Sequence, residues 1–194
     1  MVFFNIAWMR NYQGNWKEDI PVNGGDFIRR NHWGGEVYNF QPYQHILYGY
    51  VEPGVVEKGG KQRNINISRL MSKPYVNKNA FSISNVLVVW VATPENGKTP
   101  LLVGWYENAT LYRKAQIPPR ESGRNLPNHP NLGEYFTSAN KEDCILLPIE
   151  ERTCTLPRKG EGFGRSNIWY AESHIGFKTR EKVINFIKKW KGIN

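Results

Sequence analysis

Residues 85–113, NVLVVWVATPENGKTPLLVGWYENATLYR, decide how this chain folds. They read as two strands joined by a turn. The first, 86–92, is Val-rich with a single Trp90, and the second, 101–106, ends in the pair Trp105-Tyr106. Thr93-Pro94-Glu95-Asn96-Gly97-Lys98 lies between them. Asn-Gly signals a turn because both residues tolerate positive φ. Pro94 ends the first strand because it cannot donate to a ladder. This hairpin is the expected centre of a β-rich domain, whose aromatics either line a site or fill a core.

Working outward, short strands are expected at 3–10, 37–40, 46–51, 63–67, 134–139, 144–147 and 149–156, from apolar alternation bounded by Gly, Pro and Asn. A short helix is expected to start with Asp26 as N-cap. The loop 117–132 holds Pro118, Pro119, Pro127 and Pro130, and loops of this length are functional or disordered. A helix is expected over about 179–191. Val183, Ile184, Phe186, Ile187 and Trp190 recur at helical spacing, Thr179 serves as N-cap, and Lys188, Lys189 and Lys191 suit the negative end of the dipole before Gly192. Strand after strand with one clear terminal helix predicts an α+β fold: a bent β-barrel, a C-terminal amphipathic helix and one or two short helices.

The 194 residues suit one domain, 1–194, large enough to bury a core without staples. Aromatic residues are enriched, with seven Trp, ten Tyr and nine Phe. A formal charge of +9 favours an anionic partner, and bases stack on aromatic faces. Cys144 and Cys154 read as free thiols of a reducing compartment, without the spacing of a metal site. No signal peptide or apolar span is expected, so the chain reads as soluble and cytoplasmic, without cofactor.

Candidate chemistry is sparse. There is no Gly-x-Ser-x-Gly elbow. Gly160-Glu161-Gly162-Phe163-Gly164 lacks the Lys and the following helix of a phosphate cradle, so it reads as a bend. The acids are scattered, which argues against a nuclease centre, and a non-enzymatic binding role is expected. Three segments remain in which Asn stands beside aromatics: 32–40, 105–108 and 166–170. A base reader needs stacking faces, edge-reading amides and acids, and cations for the backbone. Trp33, Trp105 and Trp169 are the candidate stacking walls, with Tyr106 beside them. Asn39, Asn108 and Asn167 are the candidate edge readers, and Glu36 the acceptor for an exocyclic amine. Arg113, Lys114, Arg120, Arg124 and Arg165 are the candidate phosphate contacts, with the loop 117–132 lying over the duplex. Two other classes stay open: a nuclease of unrecognised type, and a protein- or small-ligand-binding module with a basic surface.

The segment VVWVATPENGKTPLLVGWYENATLYR, with GGEVYNF upstream and GFGRSNIWYA downstream, resembles the N-terminal modules that accompany HNH-type nuclease domains in bacterial modification-dependent restriction proteins. Those modules are similar in turn to the EVE, YTH and ASCH domains of the PUA-like superfamily. The similarity covers most of the chain, from Phe3 to Ala171. It implies a bent barrel and a reader of modified bases, in DNA rather than RNA, that takes a flipped base into an aromatic pocket in restriction-modification or phage defence. The nuclease domain seen beside such modules is not in this sequence, so the resemblance implies a stand-alone reader, or a piece of a longer protein with a fused or associated nuclease.

Overall fold

A computed structural model describes residues 1–15, 17–24, 28, 34–54, 64–72, 76–124, 133–160 and 162–193. Its strands are β1 (Val2–Ile6), β2 (Pro42–Tyr43), β3 (Ile46–Gly49), β4 (Ser82–Ala92), β5 (Leu101–Gln116), β6 (Tyr135–Asn140), β7 (Cys144–Leu146) and β8 (Ile168–Trp169), followed by helix α1 (His174–Trp190). They form one mixed sheet of eight strands in the order β2-β3-β6-β5-β4-β1-β8, with β7 also on β5. The fold is α+β, as expected. Among the described residues the ladder ends at β2 and β8 without joining them, so the sheet is open.

The hairpin is the middle of the sheet. β4 is flanked by β5 antiparallel and β1 parallel, and both its faces are buried. Val88, Trp90 and Ala92 enter one core with Phe4, Phe40 and Tyr106. Val89 and Val91 enter a second with Phe3, Leu102, Trp105, Val183 and Ile187 of α1. A strand covered on both sides reads as a continuous apolar run, which is why this stretch is so rich in Val. Each large apolar side chain buried this way contributes about 1.5–3 kcal/mol.

Two asparagines bend the hairpin. Asn85 in β4 (φ 58°) and Asn108 in β5 (φ 50°) adopt the left-handed conformation, and the β4–β5 register slips between Ile83 and Val86 and again between Val86 and Val88. Asn visits this region more readily than most residues, and bulges bend and twist a sheet. Beyond the bend β5 changes neighbour: Gly104–Tyr106 pair with β7, while Thr110 and Leu111 pair with β6. The turn closes as Gly97 N–H to Pro94 O at 3.0 Å. Neither Asn96 nor Gly97 has a positive φ, so the Asn-Gly pair marks the turn without using the freedom it was expected to use.

Other expectations need correction. Residues 37–40 are not a strand; Gly35–Tyr38 form a 3-10 turn. The expected strand at 63–67 is replaced, in its described part, by irregular chain entering a 3-10 turn at Ile67–Leu70. Helix α1 starts five residues early, capped by Ser173, whose hydroxyl accepts from Gly176 N at 3.1 Å. Thr179 lies inside the helix and donates to Ile175 O. Val183 and Ile187 face the core, but Ile184 is exposed. The expected helix start at Asp26 lies outside the described residues. Cys144 and Cys154 are free thiols. Among the described residues no helix is long and apolar enough to cross a membrane.

Arg124, expected on phosphate, is an internal clamp with 1% of its surface exposed. Its guanidinium donates to Tyr38 O (2.8 Å), Tyr48 O (2.7 Å) and Gly133 O (3.1 Å) and lies over the Tyr38 ring. Burial lowers its pKa to about 10, so it stays charged at neutral pH. Arg152 does the same elsewhere, donating to Leu147 O, Met9 O and Arg10 O. Removing a buried cation that satisfies several carbonyls leaves those acceptors unpaired. Arg124→Ala is therefore expected to lower the unfolding free energy by about 3 kcal/mol or more, and exposed Arg165→Ala to change it by less than about 0.5 kcal/mol, in urea denaturation. Equal stability of the two variants would contradict the clamp.

Candidate functional site

Where β1 ends, the chain leaves the sheet and a cavity opens. The pairing of β1 with β4 stops at Ile6↔Ala92, so the next amide, Ala7 N–H, has no ladder partner. Glu36 supplies one: its Oε2 accepts this amide at 2.7 Å. Tyr12 completes the exit, its hydroxyl donating to Ala7 O at 2.7 Å and accepting from Met9 N at 3.1 Å. The 3-10 turn Gly35–Tyr38 brings Glu36 inward.

The cavity beside this junction holds about 180 Å³. Asn5, Ile6 and Ala7 form one wall, and Gly34, Gly35 and Glu36 another. Tyr50 and Glu52, which follow β3, and Asn167, which precedes β8, form the remainder. Asn23, Gly24 and Ile28 lie over it. Asn23, left-handed at φ 55°, fixes that cover by donating from Nδ2 to Pro94 O at 2.7 Å in the β4–β5 turn. A Cβ at Gly24 or Gly34 would stand within 2.5 or 2.6 Å of Ile28, so these glycines let Ile28 seat between them. The space is well below the roughly 300–1,000 Å³ of drug-sized sites.

Its polar groups are fixed by their neighbours. The Tyr50 hydroxyl donates to Glu52 Oε2 at 2.7 Å, and Glu52 Oε1 accepts from Gly54 N at 2.9 Å. Asn167 Nδ2 donates to Glu52 O at 3.0 Å, and its backbone carbonyl accepts from Asn5 N at 2.8 Å. Glu36 has 7% of its surface exposed. Burial raises its pKa to about 7; the Ala7 N–H works against this rise and the Glu52 charge adds to it.

Of the residues expected to form a base pocket, Glu36 and Asn167 meet at this cavity. Trp33 lies outside the described residues, as do residues 125–132 of the loop expected over a duplex. Asn39 stands one step behind the wall: fully buried, it donates to Tyr50 O (2.9 Å) and accepts from Tyr50 N (2.7 Å), holding Tyr50 in place. The structure does not bring the others there. Trp105 is buried under α1 against Trp190, with ring centroids 5.4 Å apart. Tyr106 is buried on the opposite face against Trp90 and Phe40. Trp169 packs on Phe3 and Phe163. Asn108 is an exposed bend residue bonded to Asp143.

The expected phosphate contacts also scatter. Arg113 is committed to Ala80 O and Ser68 Oγ, Arg124 is internal, and Lys114, Arg120 and Arg165 are exposed. No described Lys or Arg lines the cavity. Sequence reading missed Asn5, Asn23, Tyr50 and Glu52. The available signals were one amide inside the apolar run Val2–Trp8, and an acid directly after the apolar and aromatic strand that ends at Val51. Comparisons with protein-family models, curated proteins and solved structures return no match.

Glu36 ties stability to pH. Below about pH 4.5 its carboxyl is neutral in both folded and unfolded chains. Between about 4.5 and 7 only the unfolded chain releases the proton, so stability falls as pH rises, by on the order of 3 kcal/mol in all. Glu36→Gln removes this dependence. From about pH 5 to about pH 8 the melting temperature of the native chain is expected to fall by several degrees relative to the variant. Parallel melting curves across that range would contradict the assignment.

Proposed function

We propose that this chain is a nucleic-acid-binding module that takes one flipped or unpaired base, a modified base in DNA, into the cavity between Glu36, Tyr50 and Asn167. The observation that carries the reading is the cavity: small, with one aromatic residue, two carboxyls and three Asn residues in its lining, in a chain of formal charge +9. A flipped base is held by contacts to its Watson–Crick edge and by stacking; the lining carries acids and amides for the first and includes one aromatic residue, Tyr50. The exposed Arg165, two residues before Asn167, supplies a cation for the flanking phosphate. Kinship with the PUA-like superfamily is part of the same proposal and rests on the sequence resemblance of the hairpin segment. In this reading the chain is a non-enzymatic cytoplasmic reader in restriction-modification or phage defence, acting beside a fused or associated nuclease.

A second reading, a pocket for a free small amine, is favoured by one observation: the described lining carries two carboxyls and no Lys or Arg. Salt dependence separates the two, since releasing phosphate counterions makes log K fall linearly with log salt. Duplexes with and without modified bases, titrated by fluorescence anisotropy over a salt series, are expected to bind with a negative slope and to favour the modified form. Arg165→Ala is expected to reduce that slope by about 1. Undetectable binding to every duplex at low salt would remove the nucleic-acid reading.

A further inference from the structure

Among the described residues that line the cavity, Glu36 is a carboxyl with one oxygen left open by its neighbours. The other carboxyl, Glu52, has both oxygens engaged, by Gly54 N–H and by the Tyr50 hydroxyl. Glu36 has one oxygen engaged: Ala7 N–H points at Oε2, and no donor among the described residues reaches Oε1. Among the described residues, the titratable groups facing it from the packed elements are Glu52, Tyr50 and Tyr12. None of these is a cation, and a buried carboxyl with no cation partner resists ionisation. When Glu36 is neutral, the Ala7 N–H favours the tautomer in which Oε2 is the carbonyl acceptor and Oε1 carries the hydrogen.

We propose that Glu36 is a specificity-determining residue that meets the base as a carboxylic acid, with Oε1–H donating to a ring nitrogen while Oε2 accepts from an adjacent exocyclic amine. The proposal rests on the base-binding reading of the cavity and deepens it. An acid of this kind fits an edge that sets an acceptor beside a donor, as cytosine and adenine do. Guanine sets a ring N–H beside its amine and fits a carboxylate instead. Thymine sets its ring N–H between carbonyls. Groups that match only one partner leave a buried polar atom unpaired, which is where discrimination arises. Because burial places the titration of Glu36 at about 7, the preference weakens as pH rises through neutrality and the carboxylate replaces the acid.

The test uses the full chain and short duplexes carrying one cytosine, adenine, guanine or thymine opposite an abasic site, with a fully paired duplex as reference. Binding is measured by anisotropy at about pH 6 and about pH 8.5. At the lower pH, cytosine or adenine is expected to bind about tenfold or more tightly than guanine and thymine, and the preference is expected to shrink at the higher pH. Glu36→Gln, with folding checked by circular dichroism, is expected to keep the preference at both pH values. Its carbonyl can accept from Ala7 N–H while its NH2 donates where the acid O–H did. A guanine preference that grows with pH, or a folded Glu36→Gln variant that loses the preference, would overturn the proposal and leave the base-pocket reading standing. Indistinguishable binding of all the duplexes, paired reference included, would overturn both.

Discussion

A single amide organises the candidate site. Ala7 N–H is the first backbone donor that β1 cannot return to the sheet, and a buried donor without a partner costs about 1–3 kcal/mol. The chain answers with a carboxyl, Glu36, delivered from 29 residues away by the 3-10 turn Gly35–Tyr38. That answer has a price in the other direction: a carboxyl is desolvated where no described cation faces it. The same contact thus seals the end of a strand and leaves a carboxyl with one oxygen unengaged by described donors beside a cavity. Tyr12, Asn39 and Tyr50 are arranged around that compromise, each using a polar group to satisfy backbone or carboxyl atoms that the sheet has released.

The sheet supplies the rigidity that such a site requires. β1 and the second half of β4 lie side by side in parallel between two cores, so β1 is held from four sides: by β4, by β8 and by the cores above and below. The bulges at Asn85 and Asn108 bend the long β4–β5 ladder and let β5 engage β7 before the bend and β6 after it. Arg124 and Arg152 pin the irregular segments through backbone carbonyls. Positioned groups on rigid supports are what a recognition pocket needs.

Much of this was legible in the sequence, and the failures have physical causes. The Val run at 86–91 announced a central strand correctly, because burial on both faces leaves no polar alternation. The same logic should have removed Trp105 and Tyr106 from the candidate site, since adjacent residues on a two-sided strand enter opposite cores. Asn next to aromatics was read as recognition chemistry, yet Asn108 serves a left-handed bend and Asn39 replaces a ladder bond; the amide that lines the cavity in an apolar strand, Asn5, was passed over. Arg124 illustrates a general blindness: composition cannot tell a guanidinium that faces phosphate from one that satisfies internal carbonyls. Glu36 and Asn167 were legible, but their meeting depends on the antiparallel pairing of β1 with β8, which local pattern does not encode.

The proposed base pocket is the cavity at the end of β1, with Glu36 at its wall. The most direct measurement is the map of backbone amide chemical-shift changes as a short duplex with one unpaired cytosine is titrated into the isotopically labelled chain. The largest changes are expected at Ala7, Gly34, Gly35, Glu36 and Asn167, with those of Val183 and Ile187 in α1 small. Changes centred on α1 and absent from the cavity would contradict it.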